Sequence, residues 1–498
     1  MRTLIILLCF VYSTSFAQKS NSLDKKVKEF EAYIINAQKV WEAPGIAVTV
    51  VKDGKVLLTK GYGVREINTN EPVDANTLFA CASTTKAMVA AAMGILVDEG
   101  KVNWNDKVIN HLPDFQLYDP YVTREITVRD LFTHNTGVGN TDFLWGLMDI
   151  SGEEVLHKMR YVQPSYSLRA GYTYQNIFYL AAGKVIEKAS GQSWDQFIRD
   201  RVFMPLGMTN TYPLLKDVKD SNQTRAHYKV NGEIMVIDHL SADQIGPAGS
   251  VWSSIADMSK WVTAMLDSSK FAGGRLLSAN TWAEMFKPQI LIPINQFYPT
   301  AQITKPNWTS YGLGWFQQDY KGRKINYHTG SLPGSIALNA QLPDENLGIY
   351  IFGNYDHVEL RHALMFKAFD LFALGGNRDW NKEFFDLYEK IRLTSEKRTE
   401  DFKSKRVMDT KPSLALEAYA GNYRDKLYGN LLIKVEGDQL VFTSNNYLSG
   451  KLKHWHYDTF VTQFEKSWRG EWPVQFELNA LGQVSKVSFS GFEFSRVE

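Results

Sequence analysis

Cysteine is nearly absent from this chain. There are two in 498 residues, Cys9 and Cys81, too few for a disulfide framework, so the fold must hold by packing. An excess of charge is missing too. Lysine and arginine number 55 against 54 acidic residues, a formal net charge of +1 that argues against nucleic acid or an anionic membrane as the main partner. No block of like charge, no low-complexity tract and no apolar run long enough to span a bilayer occurs. Hydrophobic residues make up 44% and charged residues 22%, the balance of a soluble globular protein, and the length predicts two or three domains.

Residues 1–17 read as a secretory signal, with Arg2 as the positive start, Leu4 to Val11 as the apolar core and Ser15-Phe16-Ala17 as a small-x-small cleavage site. The expected product is exported, periplasmic or secreted, without a stable membrane anchor. Cys81 is then its one cysteine. It lies among apolar residues and reads as a packing residue rather than a reactive thiol.

Apolar positions Val27, Phe30, Ile34 and Ala37 predict an amphipathic helix over 24–43. A hairpin follows, 45–51 and 56–60, around Asp53-Gly54. A second hairpin pairs 335–342 with 347–352, and a helix over 357–374 closes this region. The hairpins stand at the two ends of a stretch that is otherwise mostly helical. Strands so far apart can share one antiparallel sheet with helices on its faces. Residues 377–412 are charged and helical, a linker. From 413 to 498 short alternating segments predict a small antiparallel β-barrel-like domain. The fold class is therefore α+β, with a helical second lobe and a C-terminal β-domain, and the main domain is expected over 18–376.

The chemistry centres on Ser83-Thr84-Thr85-Lys86, at the head of the apolar run Ala87 to Val97. On a helix, positions i and i+3 share a face, and a serine in the first turn lies where backbone N–H groups favour negative charge. A lysine one turn on can take the hydroxyl proton. Tyr174-Gln175-Asn176 stands before an apolar helix, so a phenol and an amide can both point into a cleft. His328-Thr329-Gly330-Ser331 precedes the late hairpin, a donor, a hydroxyl and a glycine at a strand edge that a substrate backbone can approach.

In this order and spacing the three motifs resemble those of the β-lactamase-related serine hydrolases: class C β-lactamases, D-alanyl-D-alanine carboxypeptidases, D-aminopeptidases and some esterases. Leu131-Phe132-Thr133-His134-Asn135-Thr136-Gly137 and Tyr311-Gly312-Leu313-Gly314-Trp315 extend the resemblance over residues 24–376. Residues 413–498 resemble the small β-domain that often follows such hydrolases. The resemblance implies Ser83 as the acylated nucleophile, Lys86 as its base, and Tyr174 as the proton shuttle to leaving group and water. It implies Asn176, His328, Thr329, Gly330 and Ser331 as substrate-binding residues, and the backbone N–H groups of Ser83 and Ser331 as the oxyanion hole. His134 belongs to a structural loop. The expected activity is hydrolysis of D-amino-acid-containing peptides or related amides. The alternatives are an esterase of small acyl esters, a weak β-lactamase, or a penicillin- or peptide-binding module with little turnover. The partner is a small molecule or short peptide, cell-wall material included. No cofactor or metal is expected.

Class C β-lactamases carry lysine where this chain has His328; some carboxypeptidases and D-aminopeptidases of the family carry histidine. An unperturbed histidine titrates near about 6.5, so hydrolysis of carboxylate-bearing substrates is expected to fall as pH rises through the His328 titration. His454 and His456 share one face of a strand, with no third ligand in view, and read as surface residues. Tyr423, Tyr428, Trp455, Tyr457, Trp468 and Trp472 are expected in the core of the C-terminal domain. That domain is expected to be folded back by the charged helix and to cap or shape the cleft.

Overall fold

The computed structural model describes residues 22–445, 447–489 and 491–497. The signal reading of 1–17 lies outside the described residues. The frame of the main domain is one antiparallel sheet of eight strands. These are β1 (Gly45–Lys52), β2 (Lys55–Gly63), β3 (Ile290–Leu291), β4 (Thr309–Tyr311), β5 (Phe316–Tyr320), β6 (Arg323–Leu332), β7 (Ser335–Leu342) and β8 (Leu347–Gly353), in the spatial order β3-β4-β5-β6-β7-β8-β1-β2. The two hairpins meet where β1 pairs with β8, from Ile46 opposite Gly353 to Lys52 opposite Leu347.

Both faces of this sheet are covered, which is why its central strands are buried almost without a break. Alternation along the strands sorts the side chains. Ile46, Val48, Ile336, Leu338, Ile349 and Ile351 pack into one core, and Ala47, Ala337, Tyr350 and Phe352 into the other. The first core receives helix α1 (22–40) through Phe30, Ile34 and Ala37, spaced for one helical face. Helix α2 (Thr85–Asp98), buried along nearly its whole length, lies in the second core with α3 (Ile177–Ser190) and α4 (Ile255–Leu266).

Helix α5 (Leu360–Phe369) continues in one wider turn, Asp370–Leu374. Helix α6 (Trp380–Ser404) begins in the first core, where Trp380, Asn381 and Phe384 are buried. Beyond Lys390 it runs through solvent to the C-terminal domain, where Phe402 stacks on Trp455 with ring centroids 5.3 Å apart.

The C-terminal domain is a closed barrel of eight antiparallel strands in sequence order, closed where Asn422 stands opposite Val497. Its interior holds Tyr423, Phe442, Phe460, Phe476 and Phe489 among aliphatic residues. The expectation that all six named aromatics fill this core is corrected, because most lie on the outer wall. Tyr457 is exposed, and Trp455 is covered by Phe402 and Arg406. Trp468 packs on Tyr228, and Trp472 on Phe143, both residues of the main domain. Aromatic rings here cover the joint between two domains, a use that alternation in one strand does not reveal. His454 bonds Tyr457 O, and His456 accepts from Val407 N–H, so each imidazole has a backbone partner.

Candidate active site

The turn bearing Ser83 is tighter than expected. Ala82–Thr84 form a 3-10 turn and the α-helix starts only at Thr85. Ala82 sits at φ 46°, a left-handed conformation that costs a residue with a Cβ and lifts the next side chain into the cleft. The turn is held against β6. A Cβ on Gly330 would stand 2.3 Å from Cys81 O and 3.0 Å from Ser83 N, so only glycine fits. The close approach expected at Gly330 is thus made by the protein's own Ser83 turn. Past Tyr327, where pairing with β5 ends, β6 has one free edge beside this turn.

Lys86 is fully buried, and its Nζ lies 2.6 Å from Asn176 Oδ1, 2.8 Å from Ala248 O and 3.1 Å from Ser83 Oγ. Desolvation brings the lysine down from 10.5 to about 7, with Asp142 pulling in the opposite direction. A neutral amine has two N–H bonds, for Asn176 and Ala248, and a lone pair for the Ser83 hydroxyl. The Tyr174 phenol shares a hydrogen bond with Ser83, and burial raises its pKa well above the ordinary tyrosine value. Its ring lies 4.9 Å from Lys86 Nζ.

Ser83, Tyr174, Asn176, His328, Thr329 and Ser331 line one cleft of about 400 Å³. Lys86 reaches two of these residues from within the core, Ser83 and Asn176, and Gly330 packs against the Ser83 turn. Thr329 Oγ1 bonds the Tyr298 hydroxyl at 2.7 Å.

The expectation for His328 is overturned. It is 1% exposed, its Nδ1 donates to Thr329 O at 2.6 Å, and its Nε2 faces the Tyr311 hydroxyl at 2.9 Å. Burial first, then the Lys86 charge, lowers it to about 3. It is a neutral ring at neutral pH, and among the described residues no lysine or arginine lines the cleft to replace it as a cation.

Sequence reasoning passed over three side chains, Asp142, Trp145 and Arg361. Asp142 lines the cleft and accepts from Asn176 Nδ2 at 2.8 Å, and Trp145 stands beside it. His134 was read as structural; its ring lies 4.3 Å from that of Tyr174, and its Nδ1 accepts from Gln175 N–H, which fixes the backbone of the second motif. Arg361 of α5, 3% exposed, is paired with Glu359 and donates to Gly330 O, Ala337 O and Ser331 Oγ, bracing β6 from beneath. Nothing in the local pattern marks Asp142 or Arg361, because each acquires its partners through the tertiary fold.

The Beta-lactamase family model matches residues 33–369. The chain belongs to that family. It is a serine hydrolase of the beta-lactamase and penicillin-binding-protein fold. A second model, a domain of unknown function (DUF3471), matches 405–497 of this beta-lactamase family member. The unguisins hydrolase ungD' of Aspergillus campestris is 29% identical over 441 residues, 84% of this chain and 79% of that one. Protein flp of Staphylococcus aureus is 24% identical over 327 residues, 62% of this chain and 59% of that one. The octameric penicillin-binding protein homologue from Pyrococcus abyssi superposes with a TM-score of 0.63 at 20% identity, covering 94% of this chain and 99% of that one. SurE superposes with a TM-score of 0.57, also at 20% identity, over 95% of this chain and 99% of the other. At such identity these two likenesses show the fold.

Proposed function

We propose that this beta-lactamase family member cleaves short peptides or related amides through an acyl-enzyme on Ser83, D-amino-acid-containing substrates foremost. The observation that carries the reading is the buried Lys86 amine with its three neighbours, Asn176 Oδ1, Ala248 O and Ser83 Oγ. Neutral Lys86 takes the hydroxyl proton as Ser83 Oγ attacks the substrate carbonyl. The backbone N–H groups of Ser83 and Ser331 receive the oxyanion. The proton passes through Tyr174 to the leaving amine, and the ester on Ser83 remains. Water then attacks that ester, giving up its proton along the same route, and Ser83 is restored.

Asp142 and the aromatic walls, with no lysine or arginine among the described residues lining the cleft, favour substrates that are uncharged or carry an amine there over carboxylate-bearing ones. This supports an aminopeptidase-like preference over carboxypeptidase or β-lactamase action. The relative named as an unguisins hydrolase supports a hydrolase, and the structure of SurE with D-Leu supports the D-amino-acid class. The proposal includes export, on the pattern of residues 1–17, and N-terminal sequencing of the secreted product tests it: retention of Met1 overturns that part.

The test is a panel of D-amino-acid amides and peptides, with free and blocked amino ends, beside a short-chain nitrophenyl ester, on wild type and Ser83→Ala. Peptide cleavage lost in Ser83→Ala supports the reading. Ester cleavage alone, or stable acylation without release, replaces it with the esterase or the binding module. Activity that survives Ser83→Ala overturns the site.

A further inference from the structure

Asn176 has a choice of orientation that Lys86 alone does not settle. An ammonium at Lys86 must face the amide oxygen, but a neutral amine can face either end of the amide, since it both donates and accepts. Asp142 removes the choice. Its Oδ1 accepts from Asn176 Nδ2 at 2.8 Å and from Trp145 Nε1 at 2.9 Å, and a carboxylate can face only the NH₂ end. Its Oδ2 accepts from Asn140 Nδ2 at 3.1 Å. Among the described residues, Asp142 is also the one carboxylate that lines the cleft.

The segment that carries Asp142 is gripped from behind by the C-terminal barrel. The Phe143 ring lies 4.1 Å from that of Phe492 and 6.1 Å from that of Trp472, centroid to centroid. Met148 is buried in the barrel's own apolar cluster. The chain thus runs from barrel wall to cleft wall in one residue, Phe143 to Asp142.

We propose that Asp142 is a positioning residue for the reaction, locking Asn176 toward Lys86 and setting the charge beside that lysine, and that the barrel holds it there through the contact of Phe143 with Phe492. The proposal rests on the reading of Ser83 and Lys86 given above. The groups facing Lys86 are Ser83, Asn176, the rings of Tyr174 and Tyr179, His134, His328 and Asp142. Burial keeps both tyrosines protonated and both histidines neutral near pH 7, which leaves Asp142 as the fixed charge that acts on the lysine.

The experiment uses the full chain and five variants, one of them a double, with D-amino-acid amides as substrates and the Lys86 titration followed by NMR on specifically labelled lysine. Asp142→Asn keeps an acceptor and removes the charge. Its Lys86 midpoint, and the acid limb of kcat/KM, are expected to move to lower pH by about one unit. Asp142→Ala also frees the amide, and its kcat on the pH plateau is expected to fall about 10- to 100-fold. Phe492→Ala, in the barrel, is expected to reproduce part of both effects, and to add little when combined with Asp142→Ala. Leu481→Ser, at a barrel residue 80% exposed, is expected to leave both unchanged. An unmoved Lys86 midpoint in Asp142→Asn, together with a full plateau kcat in Asp142→Ala, overturns the role of Asp142. Full additivity of Phe492→Ala and Asp142→Ala overturns the barrel's part in it. The NMR midpoint is read without turnover, so failure of the proposed activity is distinguishable from failure of this inference.

Discussion

The lowering of Lys86 to about 7 has a thermodynamic signature that needs no substrate. Its value is 10.5 in the unfolded chain and about 7 in the folded one, because burial opposes the charge. Above 10.5 the amine is neutral in both states and has no effect on stability. As pH falls below 10.5 the unfolded chain takes up a proton that the folded chain does not, and the folded state loses ground. Near and below 7 both states are charged and the loss levels off. The contribution is therefore a cost at neutral pH that is relieved as pH rises. Between pH 7 and 9 the wild type should gain about 2 kcal/mol relative to Lys86→Met, from the two protonation curves. Methionine fills similar volume without titrating. It leaves Asn176 and Ala248 without their donor, an offset that does not vary with pH and that separates the two curves without tilting them. Other titrating groups cancel in the difference. The assay is urea unfolding of both proteins at pH 7, 8 and 9. Parallel stability curves would refute the reasoning: Lys86 would then stay cationic to pH 9 and could not serve as base at neutral pH.

Burial and packing elsewhere around the cleft set three further outcomes. His328, lowered to about 3, should show no NMR titration between pH 5 and 8, and wild-type kcat/KM should carry no histidine limb near 6.5; a midpoint above about 5 refutes its burial as a neutral ring. Gly330→Ala drives a methyl group into Cys81 O and Ser83 N, so kcat should drop by about 100-fold or more, and a variant with wild-type kcat contradicts the packing of the nucleophile turn on β6. Arg361→Met strands the buried Glu359 carboxylate and should cost about 3–5 kcal/mol in urea unfolding, with much of it recovered in Arg361→Met/Glu359→Gln; equal losses in the single and double variants show that the pair is not the source.

The site was legible in the chain where chemistry follows local spacing. Ser83 and Lys86 share a face because one turn of helix separates them, and Tyr174 and Asn176 flank a helix start that the apolar run after them announces. What their surroundings do to them was not legible. His328 looked like a titrating cation because nothing in its neighbours along the chain says that it lies beneath Tyr311 and Phe316. The aromatic residues of the last hundred positions looked like a barrel interior because alternation separates two faces of a strand without saying which one meets another domain.

By itself the sequence determined the elements and their order. Period-two apolar runs made the strands, the apolar stretch after Lys86 made a buried helix, and the shift to short alternating segments after 413 made a second, β-rich domain. These follow from burying apolar side chains at the repeat each backbone imposes. Tertiary structure alone decided the protonation states and the company of the reacting groups. Burial turned Lys86 into a candidate base and His328 into a neutral donor, and long-range packing brought Asp142 and Arg361 to either side of the motifs. Charge in a low-dielectric interior depends on what surrounds it in space, and residues hundreds of positions apart set that environment.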